Sequence, residues 1–255
     1  MLMKQFRLWI PGLMVVLLFI SCGKKINKEE LAAESYFEYA KNLFDRGKYL
    51  DAITEFTVIT LKFSGNPIVD DAQFYLGESH FKNEEYLIAV SEYQKVINDY
   101  PESIYVQECF YKIGLSFYEL SQRPELDQEY TLKALRQFQI FIEAYPKSDL
   151  RSEADQRLFE LRSKMARKQL LGGNVYRKMG IYDSALIYYN ILLEKYYDTP
   201  SAERAMYWKA ICLFKLKEYE QALTQFTVFL EKYPNSKLKG AARSKISDLQ
   251  EKINN

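Results

Sequence analysis

The chain reads as all-α, an α-solenoid of five helical hairpins closed by a C-terminal capping helix. Three observations predict this. A Tyr-x-x-Ala-x3-aromatic pattern recurs at Tyr49/Ala52/Phe56, Tyr86/Ala89/Tyr93, Tyr182/Ala185/Tyr189 and Tyr219/Ala222/Phe226. A small residue lies twelve positions before each of these alanines, at Ala40, Gly77, Gly173 and Ala210, where two helices can approach closely. The anchors repeat every 37 residues, from 40 to 77 and from 173 to 210, and apolar residues step by three and four between them, as in Ile53, Phe56 and Ile59. That step is the period of a helix, not of a strand.

The first element along the chain is an export signal. Lys4 and Arg7 precede an uncharged run from Leu8 to Ile20, which ends at Ser21-Cys22-Gly23. Thirteen residues are too few to cross a bilayer comfortably as a helix, and the flanks suit cleavage, so removal is expected. Leu18-Phe19-Ile20-Ser21-Cys22 resembles the bacterial lipobox, with Phe19 and Ile20 departing from its usual residues. The resemblance implies that Cys22 is lipidated and opens the mature chain. Residues 1–21 are then a lipoprotein signal peptide, and residues 22–31, with Lys24, Lys25 and Lys28, a short polar membrane tether. The absence of an acidic residue directly after Cys22 implies, from lipoprotein sorting, the outer membrane as the address.

Residues 32–148 are expected to hold repeats 1 to 3. The third copy has Gly114 followed by Ala134 and Phe138, a separation of twenty in place of twelve, so eight residues are inserted near Gln122 to Glu129. Tyr100-Pro101, Tyr145-Pro146 and Tyr233-Pro234 close second helices, because proline cannot continue a helix and disfavours it in the residue before. Ser103, Ser148, Ser201 and Ser236 are placed to cap the helix that follows. Residues 149–255 are expected to hold a long helix, repeats 4 and 5, and the capping helix. Between Asp149 and about Met179 there is no proline, and Leu158, Leu161, Met165, Leu170 and Val175 supply apolar positions for one continuous helix. After Leu238, Ala241, Ala242, Ile246, Leu249 and Ile253 mark the apolar face of the capping helix.

These units resemble the tetratricopeptide repeat. Gly77, Ala89, Tyr93 and Pro101 match its small, small, aromatic and proline positions, as do Ala210, Ala222, Phe226 and Pro234. Repeat 1 has Ser64 and repeat 4 has Tyr197 where the proline belongs, and the resemblance covers most of residues 32 to 236.

Catalytic chemistry has little to work with. The single histidine, His80, has no motif around it, and its counterparts Leu43, Phe117, Tyr176 and Leu213 make it a packing residue. Cys109 and Cys212 fall in repeats 3 and 5, which are not neighbours in a solenoid, so they are expected to be buried and unbridged. Gly172-Gly173 lacks the strand and the Lys-Ser/Thr of a phosphate loop and reads as tight helix packing. With 35 basic against 34 acidic residues there is no field to recruit nucleic acid. The expectation is a binding protein, not an enzyme, with no cofactor and no metal.

The functional signal is aromatic. Phe37, Phe74, Tyr111 and Tyr207 form one column on the first helices, and Phe44, Phe81, Tyr118 and Phe214 form a second, seven residues on. Repeat 4 interrupts both with Leu170 and Arg177. In tetratricopeptide proteins these positions look into a concave groove, so the resemblance implies a peptide-binding groove at Phe37, Phe44, Phe74, Phe81, Tyr111 and Tyr118. The alternative reading has the same rings packing as core. Arg157, Lys164 and Lys168, with Arg162 and Arg167 beside them, read as a solvated face of the long helix or as a docking surface for an acidic partner or anionic head groups.

Taken together, the lipobox, the three-plus-two repeats, the Tyr-Pro-x-Ser junctions, the insertion and the long helix resemble the BamD family, lipoproteins of the outer-membrane β-barrel assembly machinery. The resemblance implies a lipid-anchored scaffold at the periplasmic face of the outer membrane. Its N-terminal repeats would receive unfolded outer-membrane proteins, and its C-terminal repeats would dock on the periplasmic domains of the barrel insertase. A general periplasmic adaptor that recruits cell-envelope enzymes is the alternative.

Overall fold

The computed structural model describes residues 30–254. Among them are eleven helices and no strands: α1 Ala33–Asp45, α2 Tyr49–Lys62, α3 Ile68–Lys82, α4 Tyr86–Asp99, α5 Val106–Glu119, α6 Glu129–Ala144, α7 Arg151–Lys178, α8 Tyr182–Lys195, α9 Ser201–Lys215, α10 Tyr219–Lys232 and α11 Lys239–Asn254. Each helix packs on the next, which is the order of a solenoid of antiparallel hairpins. The all-α repeat architecture read from the 37-residue period is the one observed.

Four of the five hairpins close by one device. The second residue after the first helix takes a positive φ, at Gly47 (72°), Glu84 (63°), Gly180 (78°) and Lys217 (66°). The next N–H then reaches back five residues, from Lys48 to the Leu43 carbonyl, Glu85 to His80, Ile181 to Tyr176 and Glu218 to Leu213, at 2.9–3.0 Å. This is the Schellman closure, and only glycine adopts its backbone without steric cost. In repeat 3 the inserted loop replaces it. Gln128, buried there, donates from Nε2 to the Arg123 carbonyl at 2.8 Å and the Leu126 carbonyl at 3.0 Å and so supplies the loop with its own hydrogen bonds.

Between hairpins the Tyr-Pro steps end α4, α6 and α10, as expected. The serines behave differently from the expectation. Ser103, Ser148 and Ser236 accept through Oγ from the N–H two residues later, at 3.3, 3.2 and 3.0 Å, while their carbonyls accept from the N–H of Val106, Arg151 and Lys239. They build a separate turn ahead of the helix, and α5 and α7 themselves have no side-chain N-cap. Asn66 does the same before α3 at 2.9 Å. Ser201 is already the first residue of α9, and the corresponding turn is closed by Thr199, whose Oγ1 donates to the Tyr196 carbonyl at 2.7 Å.

The core runs along the helix seams. Ala40, Ala52, Ala89, Ala134, Ala185, Ala210 and Ala222 are fully buried, with the aromatic rings of the second helices against them. The glycine anchors are there for space. A Cβ on Gly77 would stand 2.7 Å from the Tyr93 ring, and one on Gly173 2.5 Å from Tyr189. Gly172 faces Tyr188 in the same way at 2.6 Å, so the Gly172-Gly173 pair seats α8 on α7.

α7 has 28 residues, about 42 Å at 1.5 Å per residue. Its N-terminal half packs on α6 and α5, and its C-terminal half serves as the first helix of repeat 4 against α8 and α9. α11 buries Ala242 and Leu249 against repeat 5, with Ile246 partly buried, whereas Ala241 and Ile253 are exposed. Its contact stripe is therefore narrower than the sequence pattern suggested.

Candidate functional site

The two aromatic columns separate in the structure. Phe37, Phe74 and Tyr111 are 8%, 4% and 3% exposed. Phe74 stacks on Tyr105 at 4.1 Å and 9°, Phe37 lies 5.8 Å from Phe56, and Tyr111 lies 5.6 Å from Phe141. Their ring faces are covered by the chain itself, which places this column in the core. Phe44, Phe81 and Tyr118 are only partly buried. Each meets the first helix of the next repeat: Phe44 lies edge-on to Tyr75 at 5.5 Å, Phe81 beneath Lys112 Nζ at 5.6 Å, and Tyr118 against the Arg157 guanidinium at 4.7 Å. These three form a row across repeats 1 to 3, with ring surface left open. Tyr75, which the sequence reading passed over, belongs to it. The Phe74-Tyr75 doublet was the available signal, because adjacent rings on a helix cannot both point inward.

Charges alternate along the row. Lys41 sits 5.0 Å over the Tyr75 ring and is paired with Asp45. Lys112 bonds Glu78 at 2.8 Å, and Glu78 in turn accepts from the Tyr93 hydroxyl at 2.6 Å. Burial pushes the Glu108 carboxyl up, with Lys112 opposing it. At the end of the row the Tyr118 hydroxyl donates to Glu160 at 2.6 Å, and that hydrogen bond holds the Glu160 carboxyl below its ordinary value. Rings with cations over them and carboxylates between suit an extended peptide with apolar side chains and a backbone able to hydrogen-bond.

The other singled-out residues have structural employment. His80 is partly buried, with Nδ1 2.7 Å from Glu85 Oε2 at the hairpin turn. Cys109 and Cys212 are free and buried; burial raises both thiols, Cys212 to about 11. Three of the cations on α7 are held by the chain itself. Lys164 donates to Ser121 Oγ at 2.7 Å, Lys168 to the Leu126 carbonyl at 2.8 Å, and Arg162 to Asp198 at 2.7 Å. They tie the inserted loop and the next junction to α7, leaving Arg167 exposed. Among the described residues, no group of three or more His, Cys, Asp or Glu side chains could hold a metal ion, and no helix is long and apolar enough to cross a membrane. Cys22 lies outside the described residues.

Comparison with known proteins gives a family match over residues 29–216, to YfiO, described as an outer membrane lipoprotein. A tetratricopeptide repeat matches residues 204–236. The chain is 24% identical over 237 residues to the outer membrane protein assembly factor BamD of Rickettsia prowazekii, covering 92% of this chain and 94% of that one. It is 21% identical to BamD of Caulobacter vibrioides, covering 78% of this chain and 67% of the other. Among solved structures, the TPR2AB-domain of yeast Sti1 aligns with a TM-score of 0.44 at 16% identity, over 87% of this chain and 84% of that one.

Proposed function

Because the chain belongs to the YfiO family of outer-membrane lipoproteins, we propose that it is an assembly factor for outer-membrane proteins, a non-catalytic scaffold anchored by lipid at Cys22 and facing the periplasm. Residues 32–148, repeats 1 to 3, receive unfolded outer-membrane proteins along the row of Phe44, Tyr75, Phe81 and Tyr118. Residues 149–255 dock on the periplasmic domains of the barrel insertase. The observation that carries this reading is the family match, which runs from the tether through repeat 3 and α7 into repeat 5 and so includes both blocks.

The open row supports the substrate half of the reading. Three half-buried rings at one position of successive repeats, each backed by the next repeat, offer a preformed surface that needs no rearrangement to accept aromatic side chains. A pull-down of the full lipidated chain from native membranes tests the reading. It should recover the barrel insertase, and recovery of peptidoglycan enzymes or proteases without the insertase would overturn it.

A further inference from the structure

Aligning the first helices on their small-residue anchors exposes an irregularity in repeat 4. Two residues beyond the anchor stand Asn42, Ser79, Ser116, Val175 and Cys212. Ser79, Ser116 and Cys212 are fully buried, because each of α3, α5 and α9 has the second helix of the preceding repeat packed over it. α1 is the first helix of the stack among the described residues, and Asn42 on it and Arg46 directly after it are polar and exposed. α7 also begins a stack, since α6 packs on its N-terminal half and the inserted loop reaches only as far as Lys168. Its uncovered face is apolar: Val175 is 56% and Met179 64% exposed, with Leu171 one turn before them. Residues 171, 175 and 179 lie within an arc of roughly 80°. Leu126 of the inserted loop (43% exposed) continues the patch at one end and Ile181 (42%) at the other.

One margin of this stripe is cationic. Arg167 and Arg204 line a cavity of about 370 Å³ with Leu170, Leu171, Asn174 and Ser201. Both guanidinium groups are exposed, and neither is paired with an acidic side chain among the described residues; Lys178 is in the same state further along the margin. Exposed acidic residues stand at the two ends of the stripe, Glu125 and Asp127 in the inserted loop and Asp183 two residues after Ile181, and not beside Arg167 and Lys178 on α7 itself.

We propose that this face of α7 is a docking site for an amphipathic helix of a partner protein, whose apolar stripe covers Leu171, Val175 and Met179 and whose carboxylates lie beside Arg167 and Arg204. The register of the repeats sets the shape of the occupant, since a helix fills the equivalent place in repeats 2, 3 and 5. The unpaired arginines set its charge. The inference rests on reading the C-terminal repeats as a docking unit and assigns that reading a surface.

The test is site-specific photo-crosslinking in cells, with benzoylphenylalanine at Val175 of the full lipidated chain and at Asn42 as the matched control. One protein should be captured at Val175 and not at Asn42. Mass spectrometry should place the crosslink in a segment with helical apolar spacing and at least two carboxylates. Arg167→Glu combined with Arg204→Glu should cut the yield roughly five-fold, the effect of losing two rim ion pairs, with the thermal transition of the chain unchanged. Capture of a second copy of this chain, of lipid, or of a segment without carboxylates would overturn the proposal, as would a yield indifferent to the charge reversal. A captured partner other than the insertase would leave the docking face standing and remove the insertase from the functional reading. Recovery of the insertase by pull-down with Val175 silent would do the reverse.

Discussion

Phe74→Ala and Phe81→Ala, seven residues apart on α3, should fail in opposite ways. Phe74 is 4% exposed, stacked on Tyr105 at 4.1 Å and edge-on to Tyr75 at 5.5 Å. Truncating a buried phenylalanine costs about 3–5 kcal/mol through lost transfer energy and the cavity left behind. In a chain of this size each kcal/mol moves the midpoint by about 2–4 °C, so Phe74→Ala should lower Tm by roughly 10 °C. Phe81 is partly exposed and makes one ring contact, to Tyr86 at 5.3 Å, besides Lys112 above it. Its removal should cost about 1 kcal/mol. Thermal unfolding followed by far-UV circular dichroism reads the first effect. Fluorescence anisotropy of a labelled ten-residue peptide with a C-terminal phenylalanine reads the second, where Phe81→Ala should weaken binding at least ten-fold and Phe74→Ala should bind normally well below its midpoint. Equal loss of Tm in both variants, or unchanged peptide affinity in Phe81→Ala, would refute the division of the columns into core and surface.

Further outcomes follow from the geometry. Glu84→Gly and Lys217→Gly relieve positive φ values of 63° and 66° and should each stabilise by about 0.5–1 kcal/mol, a rise in midpoint readable in urea titrations. Lys164→Ala removes the donor to Ser121 Oγ and carbonyl and should make the loop between Ser121 and Gln128 the first site cut in limited proteolysis. The Arg162 hydrogen bond holds Asp198 below its ordinary value of 3.8. Because that folded value is lowered, the stability it brings is fully present above about pH 3.8 and is lost as the pH falls through the lowered value; Asp198→Asn should remove this part of the acid dependence, read from urea midpoints between neutral and acid pH. In a chain carrying Cys22→Ser, neither Cys109 nor Cys212 should react with a thiol reagent at pH 8 until the protein is unfolded, because burial raises both thiols.

The repeats were legible because their markers are local. An alanine twelve residues after a glycine and an aromatic four residues further on is a helix–helix contact written along one stretch of chain, and Gly77 against Tyr93 is that contact. The division of the rings was not legible for the opposite reason. Two positions seven residues apart on a helix point almost the same way, so sequence periodicity cannot separate Phe74 from Phe81. Burial is decided by what the next repeat lays over each ring, a stacked Tyr105 ring over Phe74 and the Lys112 ammonium over a Phe81 that stays partly exposed at the edge of the same cluster. The cations of α7 misled for a similar reason. Lys164 and Lys168 find backbone carbonyls of an inserted loop more than forty residues earlier, a partner that charge patterning does not reveal. The junction serines, standing just before a helix, have the sequence appearance of caps. The chain makes one extra turn there, and their hydroxyls serve it instead.

The central claim is that this scaffold serves the assembly of outer-membrane proteins, and its depletion in living cells tests that most directly. As the protein is lost, folded barrel proteins, scored by heat-modifiable migration of outer-membrane fractions, should fall while their unfolded forms accumulate in the periplasm. Restoring the wild-type chain should reverse both changes, and Phe81→Ala should reverse them only in part. Barrel proteins that continue to fold at the undepleted rate after the scaffold is gone would contradict the account.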